Sequence, residues 1–156
     1  MNYYNEIKTK LIENENYARI KDYSKERHKL NTYYEIGKIL SEAGKHYGEG
    51  IIKEYSLKLT KELGKTYNIT SLKRIRQYYL LIQKGAPLAH QLSWSHYIEL
   101  IPIKDIEKIT FYINLSVNLN MSRNQLRERI KNKEYERLDE QTRLKLIKKN
   151  NLLSKN

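Results

Sequence analysis

Apolar residues recur every three or four positions through most of the chain. From Tyr3 to about Ala43 the series reads Ile7, Leu11, Ile12, then Ala18, Ile20, Tyr23, then Leu30, Tyr33, Tyr34, Ile36, Gly37 and Leu40. That spacing places them on one face of a helix. It predicts a long first helix, with Asp22–Ser24 as the place where it would break. A helix of that length is expected to pack along its own domain or against a second copy of the chain. Its charges balance in sign, so it reads as scaffold.

The pattern then changes at HYGEG, residues 46 to 50, a turn with two glycines. A second helix is predicted over about 49 to 63, with Ile51, Ile52, Tyr55, Leu59 and Leu63 as its stripe. Gly64 is placed to stop it. A third helix follows GKTYN, with Thr70 or Ser71 as its N-cap. Leu72, Ile75, Tyr79 and Ile82 would form its buried face. Lys73, Arg76 and Gln77 share another face, with Arg74 beside them, all in the first turns. Two helices, a short turn and a basic second helix make a helix-turn-helix-like pattern.

QKGAPLAHQ, residues 83 to 91, is the clearest break, because the residue before Pro87 avoids helical geometry. Beyond it, Ser93 fits an N-cap for a short helix through Trp94, Tyr97, Ile98, Leu100 and Ile101, stopped by Pro102. A helix over 104 to 120 would bury Ile106, Ile109, Ile113 and Val117. Ser122 and Gln125 have capping-box spacing and open a last helix. There Leu126 and Ile130 face inward, while Arg123, Asn124, Arg127 and Lys131 face outward. The signal fades after Leu138. The expected organisation is therefore a long helix and first lobe over 1–86, a second lobe over 87–138, and a basic tail or linker over 139–156. The fold class is all-α: a long N-terminal helix plus two helix-turn-helix-like lobes. Two prolines, six glycines and few Val-rich runs agree with it.

Charge sharpens this picture. The net charge of +12 is uneven. Residues 1–62 carry 12 Lys+Arg against 10 Asp+Glu, and residues 63–98 carry five basic residues and no acid. Residues 121–156 carry 11 basic against five acidic. Two single-sign blocks are an electrostatic footprint for a polyanion. The chain prefers lysine, 21 to nine, yet five arginines fall in two short segments: Arg74 and Arg76, then Arg123, Arg127 and Arg129. Arginine presents a planar fork to phosphates and guanine edges, where lysine is a point charge.

Candidate chemistry is thin. Ser93, Ser95 and His96 lie close in sequence, but on a helix they are not expected to face each other as an activated pair. No Gly-x-Ser-x-Gly elbow, Walker A or Rossmann glycine motif is present. His28, His46, His90 and His96 are dispersed, without the i, i+4 spacing of a helical zinc site. Glu6-Ile7-Lys8 is a Glu-x-Lys without an upstream Asp. There is no cysteine. No catalytic residue, metal, cofactor or small-molecule substrate is expected. No apolar run is long enough to span a membrane, and a cytoplasmic location fits. Of the 14 tyrosines, Tyr78 and Tyr79 are placed to stack on bases, but half-burial with wet hydroxyls is the favoured reading.

TYYEIGKIL, a Tyr-Gly turn, LKLTKELGKTYNITSLKRIRQYYLLI and QLSWSHYIELIPIKDIEKITFYINLSVNLNMSRNQLRERI occur in that order. Over roughly residues 3 to 138 this resembles the N-terminal domain of the YhcG-like PD-(D/E)XK nuclease family. Its most specific piece is L-S-W-S-H-Y, followed about 30 residues later by S-x-x-x-L-R. The resemblance implies a helical, winged-helix or helix-turn-helix domain that binds nucleic acid. The nuclease core of that family is missing, so this chain is expected not to cut. Duplex DNA is the expected ligand, bound by Lys73, Arg74, Arg76 and Gln77 and by Arg123, Asn124, Arg127 and Lys131. RNA is the alternative polyanion. The competing reading is a protein-interaction module in which the long first helix pairs with a copy or partner.

Overall fold

The computed structural model describes residues 2–18, 25–64, 67–87, 89, 91–142 and 144–145. Among them the chain is all-α, with no strand. It divides into two compact units, Met1–Leu80 and Leu81–Asn156.

In the first unit the expected long helix is two helices, and the break expected at Asp22–Ser24 lies outside the described residues. α1 runs Tyr3–Ala18 and α2 runs Lys25–Tyr47. They lie antiparallel: Tyr3 meets His46 and Tyr47, Lys10 pairs with Glu35, and Tyr17 stacks on His28. Periodicity could not separate one helix from a hairpin, because both arms carry the same stripe. Ile7 and Leu11 are buried, which is worth roughly 2 kcal/mol each. Leu30, Ile36 and Leu40 of α2 are buried as well, while Ile12 of α1 stays exposed.

Gly48 has φ 90° and turns the chain into α3, Gly50–Leu63. Gly64, at φ 64°, ends it in the left-handed region, as its position predicted. Tyr67 ties the next turn down. Its carbonyl accepts from Ser56 Oγ, and its hydroxyl donates to Glu15. α4 then spans Ile69–Gln83. Its cap is Asn68, two or three residues earlier than expected: Asn68 Oδ1 accepts from the Ser71 N–H at 2.8 Å. The buried stripe is correspondingly rotated. Leu72, Ile75, Tyr78 and Leu81 are buried, while Tyr79 and Ile82 are half-buried. Tyr79 instead covers Gly37, where α4 crosses α2, and meets Tyr34 edge-on at 5.1 Å.

In the second unit α5 is Trp94–Leu100 and α6 is Ile106–Asn118, opened by Asp105. α6 is the central element, with Ile109 through Asn114 all buried. Two hydroxyls inside the unit bond back to their own helix: Thr110 to the Ile106 carbonyl and Ser116 to that of Tyr112. α7 is Arg123–Lys131, opened by the Ser122–Gln125 capping box. Lys133, at φ 56°, breaks the chain into α8, Glu134–Arg137, which the sequence pattern did not predict. Tyr135 of α8 packs on Phe111 and gives its N–H to the Tyr112 hydroxyl. Of the expected tail, only 139–142, 144 and 145 are described, and they are helical from 140.

Candidate nucleic-acid interface

α4 presents an outward line. Lys73 and Gln77 are four residues apart, so they share a face, and both are exposed. Arg74 beside them is half-buried. Lys73 and Arg74 have no ion-pair partner among the described residues. By contrast Lys8 and Lys10 on α1 are engaged by Glu62 and Glu35, each at 2.7 Å. The acid-free stretch 63–98 leaves α4 no neighbour in sequence to neutralise it.

Arg76 stands apart from the other three. Its side chain is only 16% exposed and reaches back to Glu49 in the α2–α3 turn, with Nη1 at 2.8 Å from Oε1. It passes over Gly44 on the way, since a β-carbon there would lie 3.6 Å from Nη1. Sequence reasoning placed Arg76 on the outward face and missed Glu49. The signal was the lone acid in HYGEG, but its reach depends on tertiary placement. Tyr78 is buried at 1% exposure, inside the first unit rather than on its surface.

On α7, Arg123, Asn124, Arg127 and Lys131 are all exposed. Arg127 and Lys131 lie one turn apart and have no ion-pair partner among the described residues. Arg123 pairs with Glu99 of α5 at 3.1 Å, and Arg129 with Glu134 at 2.8 Å. Glu128 is exposed on the same helix and dilutes the face.

SWSH does bring its serine and histidine together, against expectation. Ser93 Oγ lies 2.8 Å from His96 Nδ1. The reason is that Ser93 is outside the helix. As N-cap it takes an extended backbone, φ −91° and ψ 168°, and its side chain folds over the first turn. His96 occupies the position glutamate takes in a capping box, accepting from the Ser93 N–H through Nδ1 at 3.1 Å. Its Nε2 lies 2.8 Å from the Met121 carbonyl. A carbonyl only accepts, so Nε2 carries the proton and Nδ1 is the acceptor. Both ring nitrogens hold main chain, joining the start of α5 to the residue before α7's cap. Tyr97 beside it is fully buried, and burial pushes its hydroxyl up to about 12.

Among the described residues no three His, Asp or Glu side chains gather as a metal site. No helix there is long and apolar enough to cross a membrane. The fold is therefore a helical module that exposes cations on α4 and α7. The chain belongs to the family described as the DUF1016 N-terminal domain, which matches residues 6–137. That family is associated with YhcG-like nucleases, and no catalytic domain is recognisable in the chain. No curated protein and no solved structure matches the chain significantly.

Proposed function

We propose that this chain is a nucleic-acid-binding domain that takes double-stranded DNA, is not catalytic by itself and acts in the cytoplasm. It would serve as the targeting part of a YhcG-like nuclease. α3 and α4 act as a helix-turn-helix, with the start of α4 entering the groove. The observation that carries this is the exposed Lys73–Gln77 line with Arg74: two cations with no ion-pair partner among the described residues, on a helix inside an acid-free stretch. Arg127 and Lys131, with Asn124 and Arg123, form the second contact set. Phosphate contacts supply most of the affinity, and Gln77 is the group suited to a base edge.

The test is a Lys73→Ala/Arg74→Ala variant against a labelled duplex, with single-stranded DNA and RNA alongside. The folded variant is expected to lose affinity, and its salt slope to fall by about 0.9 for each phosphate contact removed. Equal affinity would remove α4 from the interface. Tighter binding of RNA would make RNA the ligand. Weak binding of all three would favour the protein-interaction reading.

A further inference from the structure

Arg76 and Glu49 make an unequal pair. Arg76 is 16% exposed and Glu49 is 71% exposed. Both carboxylate oxygens crowd onto one nitrogen, Nη1, at 2.8 and 2.9 Å. The strong arrangement spreads two oxygens over two guanidinium nitrogens, and this contact does not. The Arg76 Nε is buried and makes no hydrogen bond. Glu49 also sits at the cap position of α3, yet its side chain makes no capping bond. A contact built only to hold α4 against the α2–α3 turn would use the Arg76 fork more fully.

Glu49 is therefore an anion that can leave, on an arginine that stays. Its departure uncovers Nη1 towards solvent without moving the covered Arg76 stem, on the same helix as Lys73, Arg74 and Gln77. We propose that Glu49 is an exchangeable internal stand-in for a backbone phosphate of nucleic acid: ligand phosphate takes its place on Arg76 and converts a neutralised arginine into a contact. This rests on the duplex-binding reading above. No covalent step is involved. The exchange trades one carboxylate for one phosphate, to both of which arginine donates in similar geometry. Its consequence is restraint. Weak anions leave the pair closed, and only a polyanion already held by Lys73 and Arg74 supplies phosphate at the local concentration needed to displace Glu49.

The experiment compares Glu49→Gln with Glu54→Gln, which removes the same charge from α3 but lies in a different pair, to Lys58. Affinity for a labelled mixed-sequence duplex is read across a salt series, with circular dichroism as the check on folding. Glu49→Gln is expected to bind about five-fold tighter than the unaltered chain, and Glu54→Gln distinctly less so. The Glu49→Gln gain should vanish in an Arg76→Ala background. Glu49→Asp, which keeps the charge but shortens the reach, should gain less and guards against a folding defect. Equal gains from Glu49→Gln and Glu54→Gln, or weaker binding by Glu49→Gln, would overturn the proposal and make the pair a clamp. If the unaltered chain shows no salt-dependent duplex binding, the reading beneath it fails, which is a separate result.

Discussion

Gly37 of α2 lies directly beneath the main chain of α4. A β-carbon built on it would stand 2.5 Å from the Ile75 carbonyl oxygen and 2.7 Å from the Tyr79 Cβ. Neither neighbour is the loose end of a side chain. A glycine inside a helix costs roughly 1 kcal/mol relative to alanine, so this one is retained for the approach it permits.

Gly37→Ala should therefore destabilise, despite the better helix propensity. Overpacking against backbone costs roughly 1–3 kcal/mol. Urea unfolding is expected to show a net loss of about 1–2 kcal/mol. An equal or higher midpoint would mean that α4 does not cross α2 at Gly37.

The same crossing shows what the sequence could and could not reveal. Helix content, the Gly64 stop, the Ser93 cap and the Ser122–Gln125 box were legible because each is local. The antiparallel return of α2 along α1 was not, since a stripe with a break at Asp22–Ser24 serves an interrupted long helix and two antiparallel ones alike. Leu72 and Ile75 were legible as core, but Tyr78 was passed over for Tyr79. Gly37 supplies the reason: it lets Tyr79 sit over bare backbone, which rotates the rest of the stripe. Of the candidate site, the exposure of Lys73, Gln77, Arg127 and Lys131 followed from helix faces. The engagement of Arg76 by Glu49 and of Arg123 by Glu99 joins residues 27 and 24 positions apart, beyond any local rule.

His96 should matter to stability and not to catalysis. His96→Ala removes the bond to the Met121 carbonyl and half of the capping box. A loss of about 2–3 kcal/mol is expected. Ser93→Ala should cost about 1 kcal/mol. The two losses should not add, because they share the Ser93–His96 contact. Strict additivity in denaturant midpoints would contradict the shared box.

Tyr97 should make the chain sensitive to alkali. Its hydroxyl is buried, accepts from the Ala89 N–H at 3.3 Å, and is pushed by burial from 10 up to about 12. The raised value means that the folded state holds the proton more tightly. The associated stability is complete below pH 10 and is lost as pH rises towards 12. Between those values stability should fall by about 1.4 kcal/mol per pH unit from this group alone. Tyr97→Phe should flatten that part of the profile. An unchanged alkaline limb would show that Tyr97 ionises freely in the fold.

Arg76→Ala should differ from Lys73→Ala. Arg76 is largely covered, so its removal should lower the unfolding midpoint as well as duplex affinity, whereas Lys73→Ala should change affinity alone. Equal midpoints for the two variants would contradict the covered position of Arg76.

The most direct test of the central claim is the salt dependence of duplex binding by the unaltered chain and by a variant lacking Lys73, Arg74, Arg127 and Lys131. Fluorescence anisotropy of a labelled duplex reads both. The account predicts affinity that falls steeply with salt in the unaltered chain, and a variant that stays helical but loses most of that affinity and most of the slope. Binding that is indifferent to salt, or that survives loss of all four cations, would contradict it.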